Sequence, residues 1–105
     1  MAIPVKHSVA VIVFKGNQIL SIRRSQDDDE LPGIWGLPAG TLRGAETVED
    51  VIDRIGGDKL GVTLTALRKI GFGSQDRLRY RLEMELWEVF MEGEPTCAEW
   101  QMGFS

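Results

Sequence analysis

The run Val9-Ala10-Val11-Ile12-Val13-Phe14 is apolar at odd and even positions alike, the pattern of a strand covered on both faces. Gly16-Asn17 follows, two residues that tolerate positive φ, and predicts a tight hairpin turn into a second strand over 18–24. The stretch Leu31-Pro32-Gly33-Ile34-Trp35-Gly36-Leu37-Pro38-Ala39-Gly40 is too rich in Gly and Pro for a helix. A helix is predicted to begin near Thr47. Thr47 with Asp50 three positions later has the form of a capping box, Glu49 and Asp50 suit the first turn, and Val48, Val51, Ile52 and Ile55 form one stripe at helical spacing. Gly56-Gly57 interrupts that stripe, at about 1 kcal/mol per glycine relative to alanine, and Gly61 supplies a stop.

Downstream, residues 62–72 read as a strand. Leu78, Tyr80, Leu82, Met84 and Leu86 alternate with Arg77, Arg79, Arg81, Glu83 and Glu85, which predicts a half-buried strand. Its arginines and glutamates read as a solvated row of cross-strand charge partners. After Leu86 the apolar parity slips to Trp87, Val89 and Met91, which implies a bulge or a change in what covers each face. Residues 92–105 show no helical period. One helix is thus predicted for a mixed sheet whose first strand needs cover on both sides. The tail or a second copy of the chain must supply the other cover, and a homodimer is the expectation.

Composition narrows the class. At 105 residues and 11.7 kDa, one domain over 1–105 is expected, with a modest core. The net charge of −4 argues against a nucleic-acid partner. No apolar run approaches the roughly 20 residues needed to span a bilayer, and residues 1–6 are too short for a signal peptide, so no membrane partner and a cytoplasmic location are expected. Cys97 is the single cysteine and His7 the single histidine, which excludes an internal disulfide and a zinc site built from several such ligands. The acidic run Asp27-Asp28-Asp29-Glu30 has the composition of a solvated loop. Trp35 and Phe72 suit either a core or stacking on a base.

From Gly40 the chain places Gly40, Glu46, Arg54, Gly61 and Val62 at spacings that resemble the Nudix box, G-x5-E-x7-R-E-U-x-E-E-x-G-U, where U is bulky and aliphatic. The box would span 40–62. Residues 34–40 resemble the strand and turn that precede it in that family, residues 19–24 its strand ending in arginines, and Glu92-Gly93-Glu94-Pro95 with Glu99-Trp100 the late segment of MutT-like members. The resemblance covers most of 7–100. It implies an α/β protein, a Nudix-like α/β/α sandwich with a mixed sheet, in which the family's C-terminal helix is missing after Trp100.

The resemblance also implies a function: hydrolysis of a pyrophosphate bond in a nucleoside diphosphate derivative, with Mg²⁺ or Mn²⁺ activating water and neutralising phosphate. A hard cation takes several oxygen ligands, and glutamates clustered on a helix supply them. At the three glutamate positions of the box this chain has Ile55, Asp58 and Lys59. In a divergent hydrolase, Glu46, Arg54 and Asp58 are the candidates for catalysis, and Asp58 and Glu46 for the metal, with backbone carbonyls near Ala39-Gly40 and a late-loop carboxylate such as Glu94 or Glu99. Arg24, Arg43, Lys59 and Trp35 fall to the substrate and its phosphates. The activity expected is a weakened hydrolase acting on a nucleotide-like small molecule. The alternatives are a catalytically inactive nucleotide- or phosphate-binding module, in which Lys59 partly replaces the metal's charge, and an interaction module that uses only the fold.

Overall fold

The computed structural model describes residues 3–23, 35–96 and 101–104, with the backbone alone at residues 23, 35 and 101–104. The apolar run opens β1 (Val5–Lys15), and the Gly16-Asn17 turn, with Gly16 at φ 61°, leads into β2 (Gln18–Arg23). Two short strands follow, β3 (Trp35–Gly36) on β2 and β4 (Ala39–Thr41) on β1. After the helical segment come β5 (Thr63–Asp76), β6 (Arg81–Glu92) and β7 (Gln101–Phe104). The sheet runs β3-β2-β1-β6-β5, with β4 pairing β1 and β7 pairing β2. β1 and β6 are parallel over nine residue pairs and the other pairings are antiparallel, so the sheet is mixed, as expected.

The helix starts as its cap predicts. Thr47 is extended at φ −90° and ψ 171°, its hydroxyl accepts from the Asp50 amide, and the Asp50 carboxylate accepts from the Thr47 amide. The α-helix α1 (Val48–Arg54) runs straight into a π-helical turn over Ile55–Leu60, closed by Gly61 at φ 69°. The interruption expected at Gly56-Gly57 is this wider turn rather than a break. Val51, Ile52, Ile55 and Leu60 pack on Val9, Val11, Val13, Leu20, Ile22, Val62, Leu64 and Val89 in one core. Full burial of each helical member stabilises by about 1.5–3 kcal/mol. Their sum outweighs the poor intrinsic propensity of so short and glycine-interrupted a helix.

Three strand expectations are corrected. β5 continues past residue 72 to Asp76, because it pairs with β6 throughout, and it absorbs the mismatch in two bulges, at Leu67 and Ile70. β6 begins at Arg81, not at Leu78: its partners end there, Val5 of β1 and Asp76 of β5 both facing Arg81. Residues 77–80 instead close a turn in which the Arg77 amide donates to the Tyr80 carbonyl at 2.8 Å, and Leu78 is left 97% exposed. The parity slip after Leu86 is therefore a change of cover and not a bulge in β6, whose parallel register with β1 is unbroken.

The solvated row of charges is corrected with it. Arg77 and Arg79 stand in the turn, and only Arg81 lies on the strand, its Nη2 donating to Ser74 Oγ at 3.3 Å. Glu85 is buried beside the helix-side core, where His7 Nε2 lies 2.6 Å and Lys69 Nζ 3.4 Å from its carboxylate and Trp87 Nε1 donates to it at 3.1 Å. Burial pushes its carboxyl up. The Trp87 hydrogen bond and the Lys69 and His7 charges pull harder, leaving it below the usual carboxylate range.

β1 has the two-sided cover its sequence predicts at residues 8–11 and loses it towards the turn. Ser8, Val9, Ala10 and Val11 are buried, Ile12 is half-buried and Phe14 is exposed.

Candidate functional site

The loop between β4 and α1 is shaped by one carboxylate. Glu46 accepts the Arg43 amide at 2.8 Å, while its own amide donates to the Arg43 carbonyl at 3.0 Å, which closes a tight loop. Arg54, eight residues on, reaches back from the end of α1. Its Nε and Nη2 donate to the two Glu46 oxygens at 3.1 Å each, and Nη2 also donates to the Thr41 carbonyl at 2.7 Å. This two-pronged contact ties strand, loop and helix together in a geometry a lysine could not reproduce. The Arg54 hydrogen bond, then the Arg43 amide and the two nearby charges, hold the Glu46 carboxyl below its usual range.

Gly40 lies directly under the helix. A Cβ there would come within 3.2 Å of Val51 Cγ1 and 3.4 Å of Ile55 Cγ1, so the absence of a side chain sets how closely β4 and the helix approach. Ile55 is wholly buried in that contact. Three residues further, Asp58 is exposed, and Lys59 is half-buried with its ammonium donating to the Ala39 carbonyl. The wide π turn is the physical reason Asp58 parts from its neighbours: with i→i+5 bonding, i+3 swings away from i while i+4 stays near it, so Ile55 and Lys59 both lie against β4 and Asp58 faces solvent. Lys59 also stands in the last helical turn, where the backbone dipole favours a cation.

The structure therefore brings Glu46, Arg54 and Arg43 into one clamp and sets Lys59 beside β4, while Asp58 points to solvent. Arg24 and Glu99 lie outside the described residues, as do Cys97, Trp100 and the acidic run 27–30; Trp35 is described by its β3 backbone alone. Glu94 lines a shallow cleft with Phe14, Lys15, Phe90 and Pro95 at the ends of β1 and β6. The late loop does reach the helix end: the Thr96 amide donates to the Leu60 carbonyl at 2.7 Å.

A divalent metal does not fit the described residues of this loop and helix. Among the described residues no three of His, Cys, Asp and Glu converge on one point. Both Glu46 oxygens are engaged by Arg54, the position of Ile55 is apolar core, and an ammonium already sits on the backbone oxygen of Ala39. The burial of Glu85, with His7 and Lys69 beside it, was not foreseen from the sequence. The one available signal was that Glu83 and Glu85 share the parity of the otherwise apolar Trp87, Val89 and Met91. Among the described residues no helix is long and apolar enough to cross a membrane.

No family model matches the chain, and no curated protein matches it. Solved structures do. A MutT protein from Methanosarcina mazei superposes with a TM-score of 0.85 at 17% identity, over 100% of this chain and 78% of that one. A MutT Nudix hydrolase from Burkholderia pseudomallei gives 0.83 at 21% identity, over 95% and 81%. An ADP-ribose pyrophosphatase from Streptococcus suis gives 0.72 at 18% identity, over 94% and 72%. The fold of this chain is that of the MutT and Nudix hydrolases.

Proposed function

We propose that this chain binds nucleoside diphosphate derivatives at the loop–helix of residues 40–62, and that pyrophosphate cleavage supported by Mg²⁺ or Mn²⁺ is strongly weakened. The reading rests on one observation. The clamp that shapes the loop is complete, with Glu46 held by both Arg54 and the Arg43 amide, whereas the helix positions that would hold a cation carry a buried isoleucine, an exposed aspartate and a lysine bound to a carbonyl. Its support in substrate class comes from the fold, shared with proteins described as MutT hydrolases and as an ADP-ribose pyrophosphatase. Fold alone does not carry chemistry, so the side chains decide the extent of turnover.

In this reading Arg43 and Lys59 face the phosphates, while Arg54 acts through Glu46 to position the loop. Arg24 and Trp35 remain candidates for the nucleoside end. A panel of ADP-ribose, nucleoside triphosphates and nucleotide sugars, assayed for binding and phosphate release with Mg²⁺, Mn²⁺ or chelator, tests it. The expected result is saturable binding with turnover that a divalent ion raises little. Rapid turnover that depends on Mg²⁺ would refute the weakening, and absence of binding to every compound would refute the substrate class.

A further inference from the structure

The distinctive group beside β4 is a cation the chain brings itself. Lys59 is half-buried, stands at the helix end and donates to the Ala39 carbonyl, across the strand from Val9 and Ala10 of β1. The neighbouring contacts fix it there. Gly40 is pressed against Val51 and Ile55, so the helix cannot shift away from β4 without opening the core, and Arg54 anchors the same strand through the Thr41 carbonyl. The π turn keeps residues 55 and 59 on the β4 side, Ile55 wholly in the core and Lys59 half-buried at its edge. A backbone carbonyl oxygen is a hard donor of the kind a divalent cation seeks, and here it faces an ammonium.

We infer that the ammonium of Lys59 is the resident cation of this site, taking the place and part of the electrostatic work of a divalent metal, so that the site accepts a diphosphate group with no metal present. The inference rests on the nucleotide-binding reading above and deepens it. An ammonium tethered at a carbonyl carries one positive charge in a fixed place, enough to attract a phosphate oxygen but without the vacant coordination positions that ionise a water. Metal-free binding and weak hydrolysis then share one cause. Replacing Lys59 by a carboxylate changes the local charge by two, vacates the Ala39 oxygen and places a second hard ligand beside it, close to Asp58 in sequence.

Two measurements on the whole chain test this. In the first, inorganic pyrophosphate and ADP are titrated into wild type, Lys59→Met and Lys59→Arg by calorimetry, in chelator and in excess Mg²⁺, with circular dichroism confirming that each variant is folded. Wild type should bind in chelator within threefold of its affinity in Mg²⁺, Lys59→Met should lose about tenfold or more, and Lys59→Arg should keep most of the binding. In the second, Mn²⁺ is titrated and followed by electron paramagnetic resonance: Lys59→Glu should gain one Mn²⁺ site that wild type lacks. Binding that requires Mg²⁺, or that is indifferent to Lys59→Met, would overturn the inference and leave the nucleotide-binding reading standing. A wild type that takes up Mn²⁺ as well as Lys59→Glu does would also overturn it. Failure of both ligands to bind under both conditions would overturn this inference, and the functional reading falls with it only when ADP-ribose, the nucleoside triphosphates and the nucleotide sugars fail to bind as well.

Discussion

Ile55 stands where the resembling family places a glutamate, and the structure makes restoring that residue a destabilising change. Its side chain is wholly buried, packed against Gly40 and within the core formed with Val51, Ile52 and Leu60. Ile55→Glu removes an apolar burial that stabilises by about 1.5–3 kcal/mol. It also buries a carboxyl among the apolar side chains of that core, at about 1–3 kcal/mol more. The total, about 2.5–6 kcal/mol, is a large share of the roughly 5–15 kcal/mol that small domains possess. At about 4–8 °C per kcal/mol it lowers Tm by roughly 10 °C or more. Ile55→Val, which keeps the shape, should cost only about 0.5–1.5 kcal/mol. Urea unfolding followed by circular dichroism gives both values. A second signature comes from pH. A buried carboxyl has a folded pKa raised above its unfolded value, so the variant should be most stable below the unfolded pKa and should weaken as pH rises through the folded one. A loss under about 1 kcal/mol, or no such pH trend, would show that residue 55 faces solvent or a cleft and that the π turn is not wound as described.

Further outcomes follow from particular contacts. Gly56→Ala should destabilise by about 1–3 kcal/mol in urea unfolding, because a Cβ there would lie 2.9 Å from the Val62 carbonyl oxygen and 3.0 Å from Leu64 Cγ. Arg54→Met should release the Glu46 loop, seen as faster amide exchange at Arg43. Because Glu46 titrates below its ordinary 4.5 in the folded chain, its contribution is complete above that value and drains away as pH falls through the lower folded one. The stability gap between wild type and Arg54→Met should therefore be widest near neutrality and narrow in acid. Phe14 and Phe90 stand half exposed on the sheet face away from the helix, and self-association through that face is the homodimer proposal. Sedimentation should show a concentration-dependent dimer that Phe14→Ser with Phe90→Ser abolishes, whereas a monomer throughout the micromolar range would refute it.

Local signals were legible where a single residue type determines the backbone. Gly16-Asn17, the Thr47–Asp50 capping box, the stripe of Val51, Ile52 and Ile55 and the stop at Gly61 all do in the structure what their side chains dictate. Glu46 and Arg54 were legible as site residues through their spacing in the box. Strand limits were not, because they depend on partners distant in sequence. Leu78 continues the alternation of β6 perfectly, yet β6 starts at Arg81, where β1 and β5 supply edges to pair with. β7, which lacks a strong period in the sequence, forms against β2 for the same reason. At the site, helical spacing alone grouped Ile55, Asp58 and Lys59. The π turn that sends Asp58 away from the other two has no pattern of its own beyond two adjacent glycines, and the destination of the Lys59 ammonium depends on the approach of β4, set by Gly40.

The most direct measurement is an anomalous-scattering experiment on crystals of the wild-type chain soaked in MnCl2. The account predicts ammonium density at the Ala39 carbonyl, donated by Lys59, and no anomalous peak beside it. A manganese peak within bonding distance of that oxygen, with the lysine displaced, would contradict it.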